Sequence, residues 1–236
     1  MPNGYPTGDA ELWGAVPSLV SHKDNERLEK ILEEEEIQEA MRNLNPESAP
    51  GPDSFPGAFF RDAWDIVKGD VTTAIHDFFR GGILPQVASA TSMVLIPKIM
   101  KPSFLADYRP IRMCNFPYKI LASIINSRMS GHLPRWLSIE QHGFVKGRSI
   151  QGAVALAQEV LRDINIKMHG SNMAIKLDMS KEDDKIEWSF INRVLTTMGF
   201  SHKVIDLTFK CFSFPWMAIS FLGKTYGFFK ATCGLR

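Results

Sequence analysis

The residues best suited to chemistry are the carboxylates within Met173–Trp188, which reads MAIKLDMSKEDDKIEW. Apolar residues occupy every second position from Met173 to Met179, which predicts a half-buried strand with its apolar side chains toward the core. Asp178 would then point away from the core, near the carboxyl end of that strand. A carboxylate presented at such a place can bind a metal ion or take part in acid–base chemistry.

These acidic residues also have ordinary structural explanations. An aspartate at the end of a strand often serves as a turn or cap residue. A helix is predicted next, because Trp188, Ile191, Val194 and Met198 recur at spacings of three and four. Acidic residues in the first turn of a helix are stabilised by its dipole. Stabilisation by the helix dipole could explain Glu182, Asp183, Asp184 and Glu187.

Composition indicates an ordinary globular chain of 236 residues, long enough for one large domain or two small ones. Hydrophobic residues make up 44% and charged residues 22%. No apolar run reaches the length of a membrane span, and the first residues lack the pattern of a signal peptide. The three cysteines, Cys114, Cys211 and Cys233, lack metal-ligand spacing, so we expect reduced thiols of an intracellular protein, nuclear or cytoplasmic.

The net charge of +1 hides an uneven distribution along the chain. Residues 1–50 hold eleven acidic and four basic side chains, whereas residues 51–236 hold 15 acidic and 23 basic ones. A mildly basic main body is compatible with a phosphate-rich partner. Lysine-rich solvated surfaces are also common in proteins that bind no nucleic acid.

Two extended segments predict a projecting hairpin over residues 91–113. The first, TSMVLIP, is rich in branched residues and leads into Lys98 and a basic loop. The second, YRPIRMCNF, contains Arg109 and Arg112. The cations could hold phosphate, with bidentate geometry from the arginines. Alternatively, they could protect a solvated edge strand from unwanted pairing.

The remaining segments are mostly helical by their apolar spacing. Residues 1–24 are expected to form a loose leader, and residues 25–57 a helix followed by the Pro/Gly-rich loop SAPGPDSFPG. Further helices are predicted over 59–79, 118–129, 150–168 and 204–212, the third with Ile150, Val154, Ala157, Leu161, Ile164 and Met168 facing inward. A second hairpin is predicted to turn at Gly223-Lys224. The predicted class is α+β, rich in helices, with a small antiparallel sheet.

Five blocks of the sequence, in order, resemble the reverse transcriptase of non-LTR, LINE-type retrotransposons, particularly the plant kind. They are APGPDSFPGAFF, SMVLIPK with DYRPIRMCNFPYKILASIINSRM, QHGFVKGRSI, KLDMSKEDDKIEWSFINRVLTTMGF and GFFKATCGLR. The similarity covers roughly residues 30 to 236. It implies a fingers-like region over 58–170, including the hairpin, and a partial palm over 171–236.

The resemblance implies a role for several residues. Asp178 would be a ligand of the Mg²⁺ ions that serve phosphodiester formation, since oxygen ligands suit hard cations. Lys98 and Arg109 would contact the triphosphate of the incoming nucleotide. Gly147 and Arg148 would lie near the template. The partners implied are an RNA template and a DNA primer, with no membrane; the sequence indicates no protein partner.

The sequence also departs from the family pattern. Glu182 stands where the family has alanine, and Asp183 where it has the aromatic residue that excludes a ribose 2′-hydroxyl; Asp184 matches. Arg112 stands where the family usually has serine. No Tyr-x-Asp-Asp run is present, although that motif supplies the family's further metal ligands. One aspartate cannot hold two Mg²⁺ ions, because each needs several oxygen ligands.

These departures predict an N-terminal fragment of a retrotransposon RNA-directed DNA polymerase, inactive as residues 1–236 alone and doubtful as a Mg²⁺ binder. Two alternatives remain open. The chain could be a module that binds nucleic acid without sequence preference. It could also belong to an active polymerase if a downstream continuation restores the missing palm motifs.

Overall fold

The computed structural model describes residues 13–162, 164, 166, 173–177, 182–221 and 224–235. The described residues before the first strand form mainly helices, from 4 to 16 residues long. A capping box formed by Ser21 and Asp24 starts the first helix, and Leu44, just before the Asn45-Pro46 stop, ends the second, as predicted. These helices are α1 (His22–Glu29), α2 (Glu34–Asn43), α3 (Gly57–Asp62), α4 (Trp64–Phe79) and α5 (Gln86–Ser89).

The described strands form one four-stranded sheet. Its strands are β1 (Thr91–Pro97), β2 (Tyr108–Cys114), β3 (Trp216–Phe221) and β4 (Lys224–Lys230), in the spatial order β2-β1-β3-β4. The pairs β1–β2 and β3–β4 are antiparallel hairpins, which confirms both hairpin predictions. Gly223, at the predicted second turn, lies outside the described residues.

The prediction of an antiparallel sheet is wrong in one respect, because the sheet is mixed. Strands β1 and β3 run parallel, with Thr91 opposite Met217 and Val94 opposite Ser220. A hairpin turn can join only antiparallel neighbours, whereas a long crossover also permits parallel pairing. In the described residues, the connection between β1 and β3 contains β2 and all six helices that follow it, so local sequence does not dictate its direction.

Among the described residues, six further helices lie between β2 and β3. They are α6 (Phe116–Ser130), α7 (Leu133–Trp136), α8 (Ile150–Arg162), α9 (Glu182–Lys185), α10 (Trp188–Thr197) and α11 (His202–Ser213). Of the predicted helices, α6, α10 and α11 match closely. In the described ranges, no helix is both long and apolar enough to cross a bilayer.

Two hydrophobic clusters of described residues hold the helices together. The larger joins α2, α4 and α6, and its fully buried members include Ile37, Ile75, Phe116, Ile120 and Ile124. The smaller joins α1, α7 and α11 through Leu28, Trp136, Phe200, Val204 and Ile205. The described strands contribute no residue to either cluster, and all seven residues of the edge strand β4 are exposed. An exposed edge offers unpaired backbone groups to other strands.

Two helix predictions need correction. The helix expected over 59–79 is divided at Ala63, whose ψ of 12° departs from helical geometry, so α3 and α4 are separate. The helix expected over 150–168 ends at Arg162, and its apolar stripe is exposed, with Ile150 at 73%. Its spacing correctly predicted an amphipathic helix, but burial also requires a neighbouring element. In the described part of the chain α8 contains no buried residue.

The strand predicted over 173–179 is not observed in residues 173–177, the part of that range that the structure describes. Residues 173–177 form no regular element, and Met173, Ile175 and Leu177 are exposed, not core-facing. A strand is stabilised by hydrogen bonds to a neighbour, and no described strand pairs with these residues. Asp178 and Met179 lie outside the described residues.

Candidate nucleic-acid and nucleotide site

The basic hairpin is the best-defined part of the candidate site. Seven Cα pairs join β1 to β2, from Thr91 opposite Cys114 to Pro97 opposite Tyr108. Lys98 directly follows the last pair, and Arg109 lies opposite Ile96. Both cations are exposed, as is Lys101 in the connecting loop. The structure therefore brings the two predicted triphosphate ligands to the same open end of one hairpin.

Asp107 organises the loop between the two strands. Its Oδ2 accepts hydrogen bonds from the backbone N–H groups of Ser103 and Phe104, at 2.9 Å each. These two bonds, of which the one from Phe104 has the larger effect, hold the pKa of Asp107 below its usual value. The Lys98 backbone N–H donates to the Asp107 carbonyl at 2.7 Å, and its Nζ donates to the Ala106 carbonyl at 3.1 Å. These hydrogen bonds hold the two ends of the loop together.

The predicted metal site cannot be assembled from the described residues. Asp178, the predicted ligand, lies outside them, and Asp183 belongs to the short helix α9. Within the described ranges, no group of three His, Cys, Asp or Glu side chains is placed to bind a metal ion. Asp184, the next carboxylate, is held by an arginine instead. The described donor set alone therefore does not fit a Mg²⁺ site.

Gly147 and Arg148 shape the loop that leads into α8. Gly147 has φ of +85°, a conformation that favours glycine. The guanidinium of Arg148 donates to four backbone carbonyls, those of Pro134, Leu137, Ser138 and Gln141, at 2.5–3.2 Å. The structure thus gives Arg148 a scaffolding role, and its predicted contact with the template stays a prediction.

Sequence reasoning left Arg112 unassigned, yet it connects three parts of the site. Its Nη2 donates to Oδ1 of Asp184 at 2.8 Å, and its Nη1 donates to the carbonyl of Leu235 at 2.6 Å. Strand β2, helix α9 and the segment Cys233–Leu235 therefore meet at one guanidinium. A signal existed in the sequence: Arg112 stands where the resemblance implies serine, in a chain with acidic residues at 182 and 183.

Further contacts fix the same junction. The Trp188 Nε1–H donates to the Gly234 carbonyl at 2.8 Å, and the Gly234 N–H donates to the Ile186 carbonyl at 2.8 Å. The Trp188 ring packs against Phe209 and Phe212 of α11. The junction is therefore connected to helix α11 through Trp188.

Comparison with known proteins identifies the family of the chain. The model of the family described as "Reverse transcriptase (RNA-dependent DNA polymerase)" matches residues 96–236, more than half of the chain. A protein of Xenopus laevis named "Transposon TX1 uncharacterized 149 kDa protein" is 27% identical over 201 residues, which are 85% of this chain. The chain spans only 15% of that relative's length. Because the family model matches more than half of the chain, the chain belongs to the reverse transcriptase (RNA-dependent DNA polymerase) family.

Proposed function

We propose that this chain forms the fingers and the first part of the palm of a retrotransposon RNA-directed DNA polymerase of the LINE type. The family match and the transposon relative support the proposal. The structural observation behind it is the antiparallel hairpin that presents Lys98, Lys101 and Arg109 exposed at one end. The plant-type origin stays a prediction from the sequence motifs.

In this proposal, Lys98 and Arg109 bind the triphosphate of the incoming nucleotide. Lysine offers a compact charge and arginine a planar fork, and both suit phosphate oxygens. Their position on an ordered hairpin reduces the entropy lost on binding. Asp183 occupies the position of the family's sugar-excluding ring, and a carboxylate there would lose that exclusion and repel the triphosphate.

Asp178 is proposed as the ligand of the divalent cations on which the family depends. Such cations, when bound, supply charge neutralisation for nucleotidyl transfer. The sequence contains no Tyr-x-Asp-Asp run to complete the ligand set, and Arg112 engages Asp184. Residues 1–236 on their own are therefore proposed to lack polymerase activity, whereas a polypeptide that includes the later palm motifs would have it.

Primer extension tests the catalytic part of the proposal. Purified residues 1–236 should extend no DNA primer on an RNA template in the presence of Mg²⁺ and deoxynucleotides. Clear extension that Asp178→Ala abolishes would contradict the proposed inactivity and would establish Asp178 as essential.

Nucleotide binding tests the hairpin separately. A fluorescent deoxynucleoside triphosphate should bind residues 1–236 more weakly after Lys98→Ala or Arg109→Ala, by about 5-fold or more for each charge-assisted hydrogen bond removed. Lys23→Ala, which removes an exposed lysine from α1, is the matched control and should have no effect. Equal effects of all three changes would mean that the hairpin is not the triphosphate site.

A second function, sequence-independent binding of nucleic acid, is favoured by the same exposed cations. Binding of single-stranded RNA should weaken as salt rises, because each phosphate contact releases condensed counterions. The double change Lys98→Ala with Arg109→Ala should reduce the slope of log affinity against log salt by roughly 0.7 for each phosphate that is no longer neutralised. Binding that does not depend on salt would exclude this function.

A further inference from the structure

Phe144 combines two unfavourable properties in one residue. Its φ is +61°, in the left-handed region that bulky side chains rarely adopt. Its side chain is also fully exposed to solvent. Neither property improves folding, because a left-handed backbone is strained for an aromatic residue and an exposed ring gains nothing from burial. Residues kept in such conformations tend to occur at functional sites.

The loop around Phe144 is held in place by its neighbours. Val145, the next residue, is buried, and the Arg148 guanidinium binds four backbone carbonyls of the preceding segment. The Nδ1 of His142 lies 2.8 Å from the Glu140 carbonyl. These contacts hold the backbone on both sides of Phe144.

The charges beside this ring favour a polyanion. Lys146 is exposed two residues later, and the half-buried Arg148 adds a second positive charge. Glu140 is the acidic residue nearest in sequence, and hydrogen bonds from its own backbone and from Ser138 lower its pKa and keep it ionised. Residues 140–148 therefore carry two positive charges and one negative charge, a net positive balance. An exposed aromatic ring beside cations is the arrangement by which proteins bind single-stranded nucleic acid, since every base offers a π-face.

We propose that Phe144 is a stacking platform for an unpaired base of single-stranded nucleic acid, held ready by the loop Gln141–Arg148. The inference rests on the proposed nucleic-acid function and adds a specific binding residue to it. It also assigns Arg148 an indirect part, as the side chain that maintains the platform.

The test is an affinity measurement on residues 1–236 with fluorescently labelled single-stranded RNA and DNA oligonucleotides. Phe144→Ala should weaken binding about 5- to 150-fold, the range found when a stacking aromatic is truncated. The slope of log affinity against log salt should stay unchanged, because the cations that neutralise phosphates all remain. Phe144→Trp should keep the affinity, and its indole emission should be quenched by the stacked base.

Two further variants separate binding from folding. Phe144→Gly removes the ring and relieves the left-handed strain, so it should raise the melting temperature while weakening RNA binding as much as alanine does. Phe228→Ala, which truncates an exposed ring on the edge strand β4, is the matched control and should leave the affinity unchanged.

The outcomes distinguish this inference from the function on which it rests. If the unchanged chain binds RNA and Phe144→Ala binds equally well, the stacking role is refuted while nucleic-acid binding stands. If the unchanged chain binds neither RNA nor DNA, the binding function fails and the inference fails with it. A change in oligomeric state with unaltered affinity would assign Phe144 to a protein contact and overturn the proposal.

Discussion

Replacement of Arg112 by methionine should destabilise the junction of β2, α9 and the segment Cys233–Leu235. Methionine keeps an unbranched apolar stem and removes the guanidinium. The change deletes the 2.8 Å ion pair with Asp184 and the 2.6 Å hydrogen bond to the Leu235 carbonyl. The Arg112 Nε is buried without a hydrogen-bond partner among the described residues. Because an unpaired buried donor is destabilising, its removal should offset a small part of the lost stability.

The magnitude follows from the exposure of the pair. The side chains of Arg112 and Asp184 are 23% and 37% exposed, between the fully solvated and the buried cases. Solvated ion pairs contribute about 0.2–1 kcal/mol, and a hydrogen bond to a charged group about 1.5–3 kcal/mol when desolvated. Allowing for solvent screening, we expect a loss of about 2–3 kcal/mol in the free energy of unfolding. For a chain of this size that lowers the melting temperature by roughly 4–12 °C.

The assay is urea unfolding of four proteins: the unchanged chain, Arg112→Met, Asp184→Asn and the double variant. The double-mutant cycle isolates the pairwise coupling, expected at about 1 kcal/mol and smaller in high salt. Arg80→Met is the matched control, because Arg80 is exposed and lies 3.8 Å from Asp77. A coupling near zero, or a loss no larger than that of Arg80→Met, would refute the role assigned to Arg112.

Three further predictions concern stability. Arg128→Lys should lower the free energy of unfolding by about 1–3 kcal/mol in urea titrations, because lysine cannot reproduce the bidentate contact with Glu36 at 2.6 and 2.7 Å. Hydrogen bonds from Ser21 hold the pKa of Asp24 below its ordinary 3.8. The ionised carboxylate therefore stabilises the folded chain fully above about pH 4, and this stabilisation is lost as the pH falls further. Asp24→Asn should be destabilising at pH 7 and nearly neutral at the acid end of a pH series of melting curves. Gly51→Ala should cost about 3 kcal/mol or more in the same urea assay, because its Cβ would clash with Oδ1 of the buried Asn115 and with the backbone beside it.

Local features of the fold could be predicted from the sequence. The run of branched residues set the bounds of β1, and the antiparallel partner β2 followed because a short loop leaves little alternative. The apolar spacing of Ile120, Leu121 and Ile124 correctly placed a buried helix, since these residues lie on one face over consecutive turns. Such features depend on neighbours within a few residues.

The exposure of the apolar stripe of α8 could not be predicted from the sequence. Apolar spacing predicts an amphipathic helix, but whether the stripe is buried depends on which element packs against it. The alternation of residues 173–177 likewise predicted a strand without showing that a partner was at hand. In both segments the apolar spacing can be read from the sequence, but only the tertiary structure shows that the apolar side chains are exposed.

The candidate site divides in the same way. The sequence by itself determined the family, the basic hairpin with Lys98 and Arg109, and the altered residues after Asp178, because motifs are read along the chain. Only the tertiary structure paired Arg112 with Asp184, 72 residues away, and turned Arg148 toward backbone carbonyls. An arginine can satisfy its charge with any acceptor that the fold brings within reach, and that choice is made by packing over long distances in the sequence.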